Sequence, residues 1–115
     1  MIKFYGYLKC GTCRKAKAWL DAQGTEYTFI DITEKAPPKT LLKALLKDYQ
    51  LKQLFNTSGV VYREEAIKDK LPTMTQAEAI ELLAANGKLC KRPMVTDGKR
   101  HSVGFKEDAF AAVWS

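Results

Sequence analysis

Two cysteines three positions apart, in the segment Cys10-Gly11-Thr12-Cys13, constrain this chain more than any other feature. The preceding residues, Ile2 to Tyr7, are rich in aromatic and β-branched types, which predicts a strand. The following residues, Cys13 to Ala22, carry apolar side chains at helical spacing. A thiol at such a strand-to-helix junction lies beside free backbone N–H groups and the positive end of the helix dipole, which favour the thiolate. The segment therefore predicts a reactive redox pair.

Two other uses of this cysteine pair are less favoured. A structural zinc site needs four ligands, and the rest of the chain offers only Cys90 and His101, which stand alone and far apart. A structural disulfide is disfavoured because a chain of 115 residues can bury a core without one, because three cysteines is an odd count, and because no signal peptide is evident. A CxxC pair near a βαβ pattern is typical of thioredoxin-like redox proteins.

The composition predicts one globular domain, residues 1–115. The chain is 46% hydrophobic, and no apolar run approaches the roughly 20 residues that cross a bilayer. Its net charge of +6 comes from lysines and arginines scattered along the chain, which indicates a solvated basic surface and makes direct nucleic-acid binding an unfavoured interpretation. We therefore expect a cytoplasmic protein without membrane contact.

The order of the predicted elements indicates an α/β fold with a helical block inserted into a small mixed sheet. A second strand at Tyr27–Asp31 completes a βαβ unit that places the cysteines at the carboxyl end of the first strand, where open α/β sheets hold their sites. After Pro37-Pro38 the pattern is helical over about 38–88, with a capping box at Thr75 and Glu78, and Gly87 is expected to end the last of these helices.

The last stretch predicts two strands and a helix. The strands are at Met94–Thr96 and 101–104, joined by a turn at Asp97-Gly98, and the helix covers 106–113. Arg92-Pro93 stands immediately before the first of these strands. A proline that opens a strand beside a redox cysteine is compatible with a cis bond, which would expose backbone groups to an extended thiol substrate, and equally with an ordinary trans bond.

Four separated motifs give the chain a family resemblance. They are Tyr5 to Ala16 with the cysteine pair, Leu54-Phe55-Asn56-Thr57-Ser58-Gly59 with Tyr62-Arg63, Lys91-Arg92-Pro93, and Val103-Gly104-Phe105-Lys106. In this order the motifs span essentially the whole chain. Their pattern resembles that of the glutaredoxin-linked arsenate reductases and the Spx-type redox regulators. The resemblance implies a thioredoxin-like fold with an inserted helical subdomain. It also implies that Cys10 is the nucleophile, Cys13 the resolving thiol, Arg92 an anion-binding arginine and Pro93 a cis-proline.

The remaining candidate site residues surround these positions. We expect substrate binding by Gly11, Thr12, Arg14, Asn56, Pro93 and Lys106. By the resemblance, arsenate-reducing members carry Ser or a similar residue at position 13 and three arginines around the oxyanion. Here Asn56 and Phe105 stand at two of those positions, with Lys106 beside the second. Asn and a flexible Lys do not reproduce the parallel donors of an arginine fork, which predicts weak arsenate reduction.

Three functional hypotheses follow. The first is a thiol–disulfide oxidoreductase of the arsenate reductase family that needs no metal and no bound cofactor, with glutathione, glutaredoxin or thioredoxin as electron donor. The second is a redox regulator similar to Spx, in which oxidation of Cys10 and Cys13 is a switch and the helical block binds RNA polymerase. The third is a redox-inert adaptor that keeps its cysteines as small packed residues. Cys90 is interpreted as a buried core residue in each case.

Overall fold

The chain begins with the predicted βαβ unit. The computed structural model describes all 115 residues, and it opens with strand β1 (Ile2–Gly6), helix α1 (Gly11–Ala22) and strand β2 (Tyr27–Asp31). The two strands pair in parallel, from Ile2 opposite Tyr27 to Gly6 opposite Asp31. Gly24 follows α1 at φ +70°, a left-handed conformation that glycine adopts without steric cost. The strand bounds confirm the prediction for β2.

The segment between the second and third strands is helical, as predicted, but its helices are short. They are α2 (Lys39–Leu45), α3 (Val60–Glu64), α4 (Ile67–Lys70) and α5 (Gln76–Ala85), with 3-10 turns at Leu51–Leu54, Leu71–Thr73 and Gly87–Leu89. Ala66 has φ +52°, which ends one helix and redirects the chain into the next, so it lies outside α4. Thr75 and Glu78 form the predicted capping box at the start of α5.

Gly87 has a different role from the one predicted. Helix α5 already ends at Ala85, and Asn86 is extended with φ −146°. A β-carbon on Gly87 would lie 1.6 Å from the carbonyl oxygen of Ile32, so only glycine permits this backbone approach. The glycine is therefore needed for packing between the helical block and the chain after β2, and not for a left-handed helix end.

The sheet is completed by strands β3 (Met94–Thr96) and β4 (His101–Val103), which are followed by helix α6 (Glu107–Trp114). The strand order is β2-β1-β3-β4, with β3 antiparallel to both of its neighbours. This mixed four-stranded sheet with helices inserted between its halves confirms the predicted thioredoxin-like α/β class. None of the helices combines the length and the apolar composition that a bilayer-spanning segment needs.

Successive side chains of β1 and β3 enter two separate cores, as the alternation of a strand requires. Tyr5 and Met94 join the core beneath the inserted helices. Phe4 and Val95 join the core beneath α1 and α6, which also contains Trp114. The sheet is therefore the middle layer, with the helical block on one face and α1 and α6 on the other.

Candidate active site

Sheet pairing places the cysteine pair beside the Arg92-Pro93 segment. Tyr5, near the carboxyl end of β1, lies opposite Met94, the first residue of the antiparallel strand β3. The loop that leaves β1 and the segment that enters β3 therefore meet at one end of the sheet. The peptide bond between Arg92 and Pro93 is cis, as the resemblance implies.

Cys10 occupies the N-terminal cap of α1. Its carbonyl oxygen accepts a hydrogen bond from the N–H of Arg14 (3.0 Å), and its own N–H donates to the carbonyl of Tyr7 (3.0 Å). Burial alone would raise the pKa of its thiol. Hydrogen bonds from Cys13 and from the backbone N–H of Thr12, together with the charge of Arg92, outweigh burial and lower the pKa below the ordinary 9.0. Cys10 is half-buried and accessible, so it combines access with thiolate character.

Cys13 lies one turn further along α1 and faces the core. Only 1% of its surface is exposed. Burial, followed by the neighbouring charge of Cys10, raises the pKa of its thiol to about 12, although the backbone N–H of Tyr7 donates to its Sγ across 3.4 Å. The two cysteines of one motif thus have opposite pKa shifts, and none of the three cysteines forms a disulfide in the structure.

Cys90 is a core residue, as predicted. It is fully buried, its Sγ donates to the carbonyl of Leu83 (3.5 Å), and burial raises its pKa to about 12. Cys90 does not line the cavity that opens beside Cys10.

A cavity of about 560 Å³ opens beside Cys10. All four sequence motifs contribute to its walls. The lining includes Cys10, Thr12, Asn56, Arg92 and Lys106. These five predicted site residues are therefore brought together, although they come from four separate parts of the chain.

Backbone pairing holds two of these segments side by side. The N–H of Asn56 donates to the carbonyl of Leu89 (2.7 Å), and the N–H of Lys91 donates to the carbonyl of Leu54 (2.8 Å). This short antiparallel contact keeps Asn56 next to the residues that precede the cis-proline. It also explains how a residue of the helical block reaches the cysteine site.

Four predicted site residues do not line the cavity: the buried Cys13 and three predicted substrate-binding residues, Gly11, Arg14 and Pro93. Gly11 is the first residue of α1, and Pro93 is buried and immediately precedes β3. The side chain of Arg14 is exposed, and its Nη1 donates to the carbonyl of Leu8 (3.1 Å). A direct substrate contact by these three residues stays a prediction.

The cavity is positively charged. Its walls contain Lys91, Arg92 and Lys106 but no aspartate or glutamate. None of these three cations forms an ion pair, since the three ion pairs of the structure involve other residues. Cations that are not neutralised in a concave surface raise the local concentration of anionic ligands.

Aromatic side chains form the other part of the wall. Phe105 and Phe110 line the cavity and meet edge to face, with ring centroids 5.0 Å apart. Phe105 stands where the resemblance expects an oxyanion arginine, so an apolar ring replaces a charged fork at that point. The cavity thus combines cations near Cys10 with an apolar wall, which suits an organic anion better than a small inorganic one.

Tyr7 is a further residue of the site that the sequence motifs do not single out. The guanidinium Cζ of Arg92 lies 5.1 Å from the centroid of the Tyr7 ring, within the range of a cation–π contact. The aromatic and β-branched pattern predicts that Tyr7 lies in the first strand, whereas β1 ends at Gly6 and Tyr7 belongs to the loop that leads to Cys10. An aromatic residue three positions before a redox cysteine was the available signal.

Comparison with known proteins gives the family of this chain. The model of the ArsC family matches residues 5–113. The uncharacterized protein YusI of Bacillus subtilis is 52% identical over 116 residues, which cover 99% of this chain and 98% of YusI. The global transcriptional regulator Spx of Streptococcus agalactiae (serotype V) is 30% identical, over 97% of this chain and 82% of Spx.

A solved structure extends the likeness to three dimensions. An ArsC family related protein from Bacteroides fragilis superposes with a TM-score of 0.89 and 46% identity, over 96% of this chain and 95% of that one. The family match spans nearly the whole sequence, including all four motifs that line the cavity. The chain therefore belongs to the ArsC family.

Proposed function

We propose that the protein is a thiol–disulfide oxidoreductase in which Cys10 is the nucleophile and Cys13 the resolving thiol. The observation that carries this proposal is the asymmetry between the two thiols. Cys10 is accessible at a cationic cavity and its pKa is lowered, whereas Cys13 is buried and its pKa is raised to about 12. A nucleophile with a lowered pKa beside a second thiol that stays protonated is the arrangement that a two-step exchange needs.

In the first step, the thiolate of Cys10 attacks one sulfur of a disulfide R–S–S–R′. A bond forms between Cys10 and the R sulfur, the substrate S–S bond breaks, and R′S⁻ leaves. Lys91, Arg92 and Lys106 favour the approach of an anionic disulfide and stabilise the departing thiolate. Glutathione disulfide and mixed disulfides of glutathione are substrates of this charge class.

In the second step, Cys13 gives up its proton to solvent and attacks Cys10. The bond between Cys10 and the R sulfur breaks, RS⁻ leaves, and a bond between Cys10 and Cys13 remains. Formation of the mixed disulfide removes the negative charge of Cys10, and that charge is one cause of the raised pKa of Cys13. The Tyr7 N–H and the charge of Arg92 still favour the Cys13 thiolate. Deprotonation of the buried thiol therefore becomes easier at the point in the reaction where it is required.

Two external thiol groups must then return two electrons and one proton to the protein, which restores the Cys10 thiolate and the Cys13 thiol. Glutathione, glutaredoxin or thioredoxin can supply them, because each carries a thiol that can attack the bond between Cys10 and Cys13. The proposed reaction needs no metal and no bound organic cofactor.

Three single variants test the proposal with a mixed disulfide of glutathione as substrate. Cys10→Ser should abolish turnover, because the attacking sulfur is gone. Cys13→Ser should accumulate a covalent adduct on Cys10, visible as a mass increase, because attack continues without resolution. Cys90→Ser is the matched control and should still turn over. Turnover by Cys10→Ser, or the absence of any adduct in Cys13→Ser, would reject the proposed roles.

A second candidate function is a redox-sensing regulator that binds RNA polymerase. The observation that favours it is the 30% identity to Spx over 97% of this chain. In that case the bond between Cys10 and Cys13 would act as a switch, and the helical block, 38–88, would carry the polymerase contact. Pull-down of purified bacterial RNA polymerase by the reduced and oxidised proteins tests this function. Redox-dependent binding without multiple turnover of any disulfide would favour the regulator over the enzyme.

A further inference from the structure

Tyr7 contacts each of the three residues that the proposed reaction uses. Its carbonyl oxygen accepts a hydrogen bond from the N–H of Cys10 (3.0 Å), and its own N–H donates a hydrogen bond to the Sγ of Cys13 (3.4 Å). The guanidinium of Arg92 lies over its ring, with Cζ 5.1 Å from the centroid. We propose that Tyr7 is a positioning residue whose ring holds the charge of Arg92 at the Cys10 sulfur. An effect of Tyr7 on turnover rests on the proposed function. The effect of Tyr7 on the position of the Arg92 charge does not.

An aromatic partner suits this position better than an acidic one. An arginine side chain has several rotatable bonds, and without a partner its charge would be spread over many positions in the cavity. Arg92 forms no ion pair, although the carboxylate of Asp31 lies close enough for the charge of Arg92 to help lower its pKa, after the hydrogen bonds from Thr33. A carboxylate would fix the guanidinium but would also neutralise it. The face of an aromatic ring fixes the guanidinium while leaving its charge and its edge N–H groups available to an anion.

The effect of this charge reaches the cysteine pair. The Coulomb interaction with Arg92 favours the thiolate form of both Cys10 and Cys13. Tyr7 itself is only half-buried, so it is not a principal part of either core. A change that removes the aromatic ring but keeps an apolar side chain should therefore alter the position of Arg92 without opening a large cavity.

The test uses two alkylating agents that differ in charge. Iodoacetate is an anion and iodoacetamide is neutral, and both react with the same thiolate, so the ratio of their rate constants at Cys10 reports the local positive potential. Tyr7→Leu should lower this ratio by roughly two- to five-fold, the range expected for a cation–π contact at a partly exposed site. Tyr7→Phe keeps the ring and should keep the wild-type ratio.

A double-mutant cycle separates positioning from a general structural role. Arg92→Ala should lower the ratio on its own, and adding Tyr7→Leu should then have no further effect, because the ring has no charge left to hold. Thermal unfolding checks that each variant is folded, and Tyr7→Met replaces Tyr7→Leu in the cycle if the latter does not fold. An unchanged ratio in the Tyr7 variant, or an equal further decrease in the Arg92→Ala background, would overturn the inference.

Alkylation needs no turnover, so the two proposals can fail separately. If the ratio behaves as expected while the protein reduces no disulfide, the positioning role stands and the proposed enzyme is rejected. If the protein reduces disulfides but the ratio does not respond to Tyr7→Leu, the enzyme stands and the positioning role is rejected.

Discussion

The backbone N–H of Tyr7 donates to the Sγ of Cys13 across 3.4 Å, yet burial keeps the pKa of that thiol at about 12. Cys10, three residues earlier on the same helix, has a lowered pKa. The cause is the position of each residue on α1. Cys10 caps the helix beside free N–H groups, and Cys13 is one turn later on the face that enters the core. Burial therefore raises the pKa of Cys13, whereas hydrogen bonds at the helix N-terminus and the charge of Arg92 outweigh burial at Cys10, which separates the pKa values of the two thiols.

This separation predicts that Cys10 reacts first with an alkylating agent. At pH 7 we expect iodoacetamide to modify Cys10 at least about ten-fold faster than Cys13 or Cys90, because one pKa unit changes the thiolate fraction about ten-fold at a pH below both values. The rate at Cys10 should fall as the pH decreases through its pKa, which lies below 9.0. Timed labelling with peptide mass mapping measures the three rates. Equal rates would contradict the prediction.

Oxidation should produce an intramolecular bond between Cys10 and Cys13. The two residues lie one turn apart at the start of α1, whereas Cys90 is buried with its Sγ against the carbonyl of Leu83. Mild treatment with diamide followed by non-reducing peptide mapping identifies the pair. A bond between Cys10 and Cys90 would show that Cys13 is not the resolving thiol.

The buried thiol of Cys90 predicts a loss of stability at high pH. Its pKa of about 12 in the folded state exceeds the ordinary 9.0, so the unfolded chain releases this proton more readily. The contribution to stability is complete below about pH 9 and is lost as the pH rises towards 12. Relative to Cys90→Ala, the wild-type free energy of unfolding should therefore fall by up to about 1.4 kcal/mol per pH unit in this range. Urea unfolding under reducing conditions at pH 8, 9 and 10 measures the difference in free energy of unfolding between the wild type and Cys90→Ala. A difference that stays constant with pH would mean that Cys90 ionises in the folded protein as it does in the unfolded chain.

Gly87→Ala should be strongly destabilising. The added β-carbon would lie 1.6 Å from the carbonyl oxygen of Ile32, so the backbone must move and the packing of the helical block must change. We expect a loss of at least about 3 kcal/mol. Gly98→Ala is the matched control, because it meets no atom within 4 Å and carries only the strain of φ +94°, about 1 kcal/mol. Equal losses in the two variants would mean that the close approach at Gly87 is unimportant.

The sequence predicted those parts of the structure that depend on local pattern. The bounds of β2 and β3 and the capping box at Thr75 follow from residue types close together in the chain. The break between α3 and α4 was not predictable, since Ala66 is left-handed there and an alanine side chain does not favour that conformation. The contact between Tyr7 and Arg92 was not predictable either, because it joins two residues that only the sheet pairing brings together.

The composition of the cavity wall predicts how the protein treats arsenate. Of the three arginines expected around an oxyanion from the family resemblance, the cavity retains Arg92 and has Asn56 and Phe105 at the other positions. Hydrogen bonds to a charged group contribute about 1.5–3 kcal/mol each, so the absence of two should weaken oxyanion stabilisation by orders of magnitude. Lys106 lies in the same wall, but a single ammonium group does not offer the paired donors of a guanidinium.

We therefore expect little arsenate reduction in the presence of glutathione and glutaredoxin. The same preparation should reduce a mixed disulfide of glutathione, which serves as the positive control for a competent Cys10. Coupled consumption of NADPH measures both reactions under one set of conditions. Arsenate turnover as fast as disulfide turnover would show that Lys106 replaces the missing arginines, and Lys106→Ala should then abolish the arsenate reaction selectively.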